Sequence, residues 1–472
     1  MAAGIALFYG GSAFLLGILF ASFTPRYSLF LGLIAILGIF IFARIRSWPI
    51  IQASCILSLV FVGIFYFHFY LNLRDVYEKI PLGAPSRFSG VISEEPRFTE
   101  NSQRLVIEIA PPFRGNIALI LGRFPEFKYG DTLYFQGSIN ERLSPRDLPT
   151  VIFPEILSRE ENSGFSLKRH LIDFKQSMID GFRHIFPRDA SALLGGILLG
   201  QKSDFSNEFK DAMRQSGTTH LVALSGYNIA ILVFSVHEIA KRFLSRKKRF
   251  YLTSMVILLF VLMVGVEASI IRAAIMGLIV LLAEYVGRMH SFGHSALLAA
   301  TLMALQDPLI LRYDLGFQLS FVSLLGIFYL SPALSSLKKS TRFKQKEKKS
   351  FFEELVTTTL GAQLAVIPIL LSTFGSISLV SIIPNILILW LIPGTMLLGS
   401  FMGAIHFLSP GLATIFSLPL HALLYYETGI IRFFGNTNLS LHSMIHPLIF
   451  GIIYYMILFA FIMHQKKSIN DQ

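Results

Sequence analysis

Long apolar runs separated by short polar turns dominate this chain. They fall near 4–21, 27–43, 48–71, 220–240, 251–267, 269–287, 292–309, 317–333, 351–374, 379–408, 411–434 and 446–464. Each approaches or exceeds the roughly 20 apolar residues that carry a helix across a bilayer, so the pattern predicts a polytopic α-helical membrane protein with about twelve spans. The run 379–408 contains Pro384 and Pro393 and reads as a broken helix or a re-entrant pair. The first stretch, Ile5 to Phe20, lacks a basic start and is followed at once by another span. It therefore reads as a retained helix and not as a cleaved signal.

Between the third and fourth runs the period changes from helical to two. Leu105, Ile107 and Ile109 alternate with Arg104, Val106 and Glu108, and Leu133, Phe135, Gly137 and Ile139 alternate with Thr132, Tyr134, Gln136 and Ser138. Alternation of this kind marks half-buried strands. Phe88–Pro96 and Asn116–Leu121 are two more, while Arg114-Gly115 and Tyr129-Gly130-Asp131 are turns. Several short strands in so small a region predict a β-barrel of the OB-fold kind on the far face of the membrane. Residues 166–215 return to helical spacing but mix Ile172, Phe174, Met178, Ile179 and Phe182 with Lys168, Arg169, Asp173, Lys175 and Asp180. That mixture predicts amphipathic helices at the membrane surface. The expected division is N-terminal membrane helices at 1–71, an extracytoplasmic β-rich domain at 72–165, surface helices at 166–215, a second transmembrane-helix domain at 216–465 and a polar tail at 466–472.

Composition agrees with the pattern. Of the 472 residues 53% are hydrophobic and only 15% charged, with a mean hydropathy of +0.61. A soluble chain would carry far more charge. Cys55 is the sole cysteine, so no intramolecular disulfide and no cysteine metal site can form. The net charge of +12 invites a nucleic-acid reading, but two short loops hold a surplus equal to all of it. One contains Lys241, Arg242, Arg246, Lys247, Lys248 and Arg249. The other runs from Lys338 to Lys349. Basic short loops between spans follow the positive-inside rule, and twelve spans place both loops, Arg44, Arg46 and both termini in the cytoplasm.

The chemistry concentrates in Gly217-Thr-Thr-His220-Leu-Val-Ala-Leu-Ser225-Gly226-Tyr-Asn228, which leads straight into a span. Polar groups at that depth mark functional sites unless they bridge helices. Two readings stand level: a wet, substrate-facing surface, or helix packing with Asn228 as a hydrogen-bonding bridge. Arg272 lies in another span, where a guanidinium near the centre costs roughly 2.5–3.5 kcal/mol on insertion scales and less here, close to an inferred outer end. It is suited to phosphate, and an ion pair with Glu267 is the alternative. Gln318 and Ser320 follow Asp314 and Gly316, which suit a helix cap. Glu284, Gln363, Asn385, His421 and Glu427 each read as structural or as part of an ion pair. Phe88, Phe98, Phe124, Tyr129 and Tyr134 are candidates for stacking bases, although a barrel core is the commoner fate of such rings. No P-loop, no His-Glu-x-x-His and no nucleophile elbow occurs.

Over roughly 170–460 the chain resembles the ComEC competence family of DNA-uptake channels. The resemblance rests on Leu198-Leu199-Gly200, the run from Gly217 to Gly226, Ile271-Arg272-Ala-Ala-Ile-Met276, and Asp307-Pro308 followed by Gly316-Phe-Gln-Leu-Ser320-Phe, in that order. Tyr129-Gly130-Asp131 and Gly137 are similar to the family's extracytoplasmic domain. Three departures are visible. The chain stops after its last span where many members continue into a metallo-β-lactamase-like domain, so this form is expected to lack it. It has no cysteine pair in the β-region, and Asn228 stands where many members have histidine.

The resemblance implies a channel that passes single-stranded DNA across the bacterial cytoplasmic membrane during natural transformation. It implies no bond chemistry, no cofactor and no metal. The path would be lined by His220, Ser225, Gly226, Asn228, Arg272, Gln318 and Ser320, with Phe88, Tyr129 and Tyr134 meeting DNA outside. The lipid bilayer, a DNA receptor, a separate nuclease and a cytoplasmic motor would be its partners. The rivals are a secondary transporter or flippase for a small solute or lipid, an intramembrane enzyme using His220 and Ser225, and an assembly scaffold.

Overall fold

A computed structural model describes residues 2–23, 50–77, 80–83, 85–161, 166–201, 204–222, 226–265, 267–287, 291–339, 351–437, 440–442 and 447–470. The expected span at 27–43, Arg44, Arg46, Ser225 and most of the second basic loop lie outside the described residues.

Two helices open the chain, α1 (Ala2–Phe23) and α2 (Ile50–Tyr77), followed by β1 (Pro85–Ile92), β2 (Arg97–Phe98), β3 (Ser102–Ile109), β4 (Asn116–Gly122), β5 (Thr132–Ser138), β6 (Thr150–Ile152) and β7 (Glu155–Glu160). Then come α3 (Leu167–Ile185), α4 (Arg188–Leu199), α5 (Asn207–Ser216), α6 (Gly226–Lys241), α7 (Arg246–Val264), α8 (Ala268–Val286) and α9 (Phe292–Gln306). After the short α10 (Ile310–Tyr313) the chain forms α11 (Leu315–Leu325), a π-helical turn (Gly326–Leu330), α12 (Ser331–Lys339) and α13 (Phe351–Phe374). It ends with β8 (Ser376–Ser378), α14 (Ile382–Leu389), α15 (Ile392–Leu408), α16 (Pro410–Phe416), α17 (Leu418–Gly435), β9 (Ser440–His442) and α18 (Pro447–Asn470). Two compact units result: Met1–Phe174 with Leu232–Phe317, and Lys175–Ile231 with Gln318–Gln472.

The protein is an integral membrane protein with a β-sheet domain, but about twelve spans is more than the described residues support. Four stretches are long and apolar enough to cross a bilayer: Thr219–Lys241, Ala268–Val286, Leu315–Ser336 and Glu353–Phe374. The α14–α15 pair, bent by 47°, makes a fifth if it is counted as one span. The bend falls in the run where Pro384 and Pro393 predicted a broken helix or a re-entrant pair. Pro393 starts α15, where its missing N–H costs no hydrogen bond. Shorter apolar stretches are Phe8–Phe23 within α1, Ser58–Arg74 within α2, Phe292–Gln306, which is α9, and Ile449–Gln465 within α18. The run 411–434 divides at Ser417 into α16 and α17, and α17 carries His421, Glu427 and Arg432.

In the first unit, α1 and α2 cross backbone to backbone. A Cβ built on Gly17 would lie 2.1 Å from the Val60 carbonyl oxygen, and one on Gly63 would lie 2.3 Å from that of Phe14. Small residues at such crossings replace the hydrophobic driving force that lipid removes.

The β-sheet follows the predicted alternation. Leu105, Ile107, Ile109, Leu133 and Phe135 all turn inward with Ile92, Ile117, Leu119 and Val151. The strand order is β6-β4-β3-β1-β5-β7, with β2 pairing β3. This is an open sheet, which corrects the expected closed barrel. Closure needs a ladder between the end strands, whereas β6 is joined to the segment after β5 by an isolated bridge between Asn140 and Thr150 and not by a ladder. The turn at Tyr129-Gly130-Asp131 forms as expected. Gly130 has φ +86, and the buried Asp131 carboxylate accepts from the Lys128 N–H at 3.0 Å and pairs with Arg159 at 2.9 Å.

Arg146, in the β5–β6 connection, clamps the sheet to the helices of the same unit. Its Nε donates to Asp307 Oδ2 at 2.8 Å and its Nη1 pairs with Asp314. Replacing Arg146 by alanine would leave two half-buried carboxylates facing each other without their shared cation. We expect a loss of about 1–2 kcal/mol, discounted for solvent screening. The check is faster proteolysis of the 140–149 loop, with part of the same effect in wild type at high salt. Equal cleavage of wild type and variant would contradict the clamp.

The second unit differs from expectation at α3. Its apolar stripe was expected on a membrane surface, yet Met178 and Phe182 pack against Gly403 of α15 and are buried. Nearly all of α4 is buried as well. An amphipathic stripe buries itself wherever an apolar partner is offered, and α15 offers one.

Candidate functional site

The polar run at 217–228 begins where α5 stops. Ser206 caps the start of α5, its Oγ accepting from the Phe209 N–H at 3.2 Å. Gly217 closes the helix with φ +70, a left-handed value that disfavours any side chain, and its α-carbon sits against Ser381. Gly200 plays the same part at the end of α4, with φ +70 and its N–H bonded to the Gly196 carbonyl at 3.0 Å. Two glycines of the sequence motifs are thus helix caps. A single 3-10 turn, Thr219–Leu221, then leaves the His220 side chain exposed, while Leu221 and Val222 are buried.

Asn228 lies in the first turn of α6 and is only 4% exposed. Its Nδ2 donates to the Ile197 carbonyl oxygen at 3.0 Å, in the last turn of α4. Of the two level readings, the structure places this amide against a neighbouring helix. Gly226 stands beside it at the start of α6, half-buried. Gln318 and Ser320, of the same unit, are half-buried in α11. Asp314 caps that helix, its Oδ1 accepting from the Phe317 N–H at 2.6 Å. Arg272 belongs to the other unit, on the buried face of α8 with Ile270, Ala274 and Leu281, and is 8% exposed.

A second polar group is less visible in the sequence. On α17 the buried positions are Leu420, Leu424, Glu427, Thr428, Ile431 and Gly435, a single helical stripe that includes a carboxyl. Glu427 is fully buried, and the Thr395 hydroxyl of α15 donates to its Oε1 at 2.6 Å. Among the described residues its Oε2 has no hydrogen-bond partner, nor does either amide atom of the fully buried Asn385 on α14. The α14–α15 break therefore carries buried polar groups on both sides. The available signal was phase: Glu427 and Thr428 sit seven and eight residues after Leu420. In the first unit, by contrast, Glu284 is answered by Arg249 at 2.7 Å and His237 at 3.1 Å, so there the structural reading is met.

The expected DNA contacts on the sheet are placed unevenly. Phe88 is a core residue, 4% exposed and packed on Phe113 and Phe135 at 5.4 and 5.5 Å, so it offers no face to a base. Tyr129 is half-buried, with one ring face covered by the Lys168 ammonium at 4.5 Å. That lysine donates to the Ser93 carbonyl at 3.0 Å, and burial pushes it below the usual lysine range against the pull of Glu94 and Glu95. Tyr134 sits beside Glu160, whose charge and hydrogen bond hold the phenol above its usual range. Phe124 is 78% exposed.

Among the described residues no group of three or more His, Cys, Asp or Glu could hold a metal ion. What the residues offer is neutral hydrogen bonding at 217–228 and at the α14–α15 break, and a guanidinium in α8.

A family model described as Competence protein matches residues 197–468, more than half of the chain. The ComE operon protein 3 of Bacillus subtilis (strain 168) is 25% identical over 352 residues, which cover 73% of this chain and 42% of that protein. The chain thus spans less than half the length of this curated relative. No solved structure matches.

Proposed function

This chain belongs to the competence protein family, and on that premise we propose that it passes one strand of DNA across the cytoplasmic membrane during natural transformation. The observation that carries the reading is the family match over 197–468, which takes in the polar run, Arg272, Gln318 and the broken helix pair. In this reading the strand meets the β-domain outside the cell, and His220, Ser225, Gly226, Gln318 and Ser320 in one unit and Arg272 in the other are the residues proposed to contact it. Asn228 holds the start of α6 to α4 and so sets the mouth of the path. Few fixed charges suit passage, since a pore that binds tightly releases slowly. No bond is made or broken by the chain. Both termini lie in the cytoplasm with the basic loops, where a motor would dock, and a nuclease and a DNA receptor act from outside.

The test is uptake of fluorescent DNA into a protease-protected compartment in cells with the gene deleted and restored. Uptake lost on deletion and recovered on restoration is the expected outcome. Uptake that persists after deletion overturns the reading.

A second reading, a secondary transporter for a small solute or lipid, draws support from Glu427 and Asn385 at the α14–α15 break. Such discontinuous helices are common at transporter binding sites. Solute counterflow by the purified chain in vesicles, with DNA uptake intact after deletion, would favour it.

A further inference from the structure

Across β2, β3, β4 and β6 the outward-facing positions form one row. Arg97 pairs with Arg104, Arg104 with Ile120, and Ile120 with Ile152. Arg97 and Arg104 are both exposed, and being directly paired they project from the same face. Like charges directly opposite on adjacent strands destabilise a sheet. Among the described residues neither guanidinium has a carboxylate within 4 Å or a hydrogen bond to relieve it. The two arginines open onto a cavity of about 180 Å³, also lined by Glu94, Glu95, Val106 and Leu148.

The flank of this row is rigid. Gln103, on the buried face beside Arg104, donates through Nε2 to the carbonyls of Gly122, Arg123 and Pro125 and accepts from the Phe127 N–H. That amide pins the 122–127 loop. The loop sets the Arg123 guanidinium over the Phe98 ring at 5.0 Å, with Nη1 on the Thr99 carbonyl at 2.9 Å. The next residue is the exposed Phe124. Arginine forks with an adjacent exposed ring are what a single strand uses: forks for phosphate, rings for bases.

We infer that Arg97 and Arg104 form a phosphate subsite on the outer face of the sheet, taking the phosphodiester backbone of a single DNA strand. This rests on the DNA-passage reading and replaces Phe88 and Tyr129 as the first extracytoplasmic contact. A phosphate between the two guanidinia supplies the negative charge that the cross-strand pair lacks. Glu94 and Glu95 do not supply it: both pull on Lys168, and neither pairs with the arginines. Their presence weakens the subsite's field, so contact is loose and the strand can be passed on. Phe124, on the loop that follows β4, stacks a base farther along the strand.

The experiment uses the full chain in nanodiscs of neutral lipid, with a labelled single-stranded oligonucleotide titrated at several salt concentrations. Wild type is compared with the double variant Arg97→Gln/Arg104→Gln and with Phe124→Ala. The double variant should bind at least tenfold more weakly at low salt. Its slope of log affinity on log salt should flatten by about 1.4, the value for two lost phosphates on a single strand. Phe124→Ala should lose about fivefold or more with its salt slope unchanged. Thermal unfolding of the double variant should match or exceed wild type, because the repelling pair is gone.

Binding and slope unchanged in the double variant, with wild type still bound, overturn the subsite and leave DNA passage standing. No oligonucleotide binding by wild type overturns the subsite as well. The gene-deletion uptake assay then decides separately whether DNA passage fails with it. Two further arms separate sources of phosphate. Arginine-dependent binding of inorganic phosphate without oligonucleotide binding overturns the strand assignment. So does an arginine-dependent preference for anionic over neutral lipid in the absence of DNA.

Discussion

On the proposed DNA passage, Arg272→Ala should lower DNA uptake at least tenfold, while the protein should still insert and accumulate at wild-type level. A guanidinium on the buried face of α8 is 8% exposed in a helix apolar enough to cross the membrane. A guanidinium at the bilayer centre costs roughly 2.5–3.5 kcal/mol, and less at Arg272, which lies near the start of α8. On the DNA-passage reading a strand phosphate helps to offset that cost. Arg272→Lys keeps the charge but loses the planar fork that seats a phosphate, and should recover only part of the activity. The measurement is uptake of labelled DNA at matched membrane abundance. Normal uptake by the alanine variant would remove Arg272 from the path. An alanine variant that fails to accumulate would assign it to helix packing instead.

The second large effect is structural. Gly326→Val should prevent assembly of the second unit, whereas Gly429→Ala should be harmless. A Cβ on Gly326 would lie 2.3 Å from the Gly361 carbonyl oxygen and 2.6 Å from Ala365 Cβ. The Gly361 backbone cannot step aside without moving α13, so the two elements would have to separate. Overpacking typically costs about 1–3 kcal/mol, and a backbone clash lies at or beyond the upper end. Gly429, inside α17, has no atom within 4 Å of its would-be Cβ. Alanine there should gain about 0.5–1 kcal/mol from helix propensity. Thermal unfolding in detergent distinguishes the two. Equal stability of both variants would mean that the Gly326–Gly361 approach is not a close one.

Local order was legible wherever one residue's neighbours in sequence decide its fate. Alternation placed Leu105, Ile107 and Ile109 inward, and proline spacing located the α14–α15 break. Gly130 and the Asp314 cap were readable for the same reason. Phe88 was open to the same logic. It stands in phase with Gly90 and Ile92 on β1, all three buried, and the pairing partner Phe135 shares its face. What escaped depends on pairing across long stretches of chain. Arg146 meets Asp307 and Asp314 from more than 160 residues away, and Thr395 meets Glu427 from another helix. No local pattern announces such partners. Fewer than twelve spans can be counted among the described residues for a related reason. An apolar run serves equally well as a bilayer span and as a buried protein helix, and α4 and α16–α17 show how readily a run divides or packs.

The π-helical turn at Gly326–Leu330 sits in the middle of one of the four long apolar helices. A π turn holds one residue more than an α turn, and each residue advances an α-helix by about 100°. Ser331 and Ser335, both buried, owe their direction to that extra residue. Gln318 and Ser320, upstream, do not. The span is therefore keyed in two independent phases. Loss of a single residue within the turn would leave the upstream half as it is and rotate Ser331 and Ser335 by about a quarter-turn, taking Ser331 away from Gly361. Point substitutions in this helix and one-residue deletions in it are thus different kinds of lesion. Lineages that carry the turn should tolerate the former far more often than the latter.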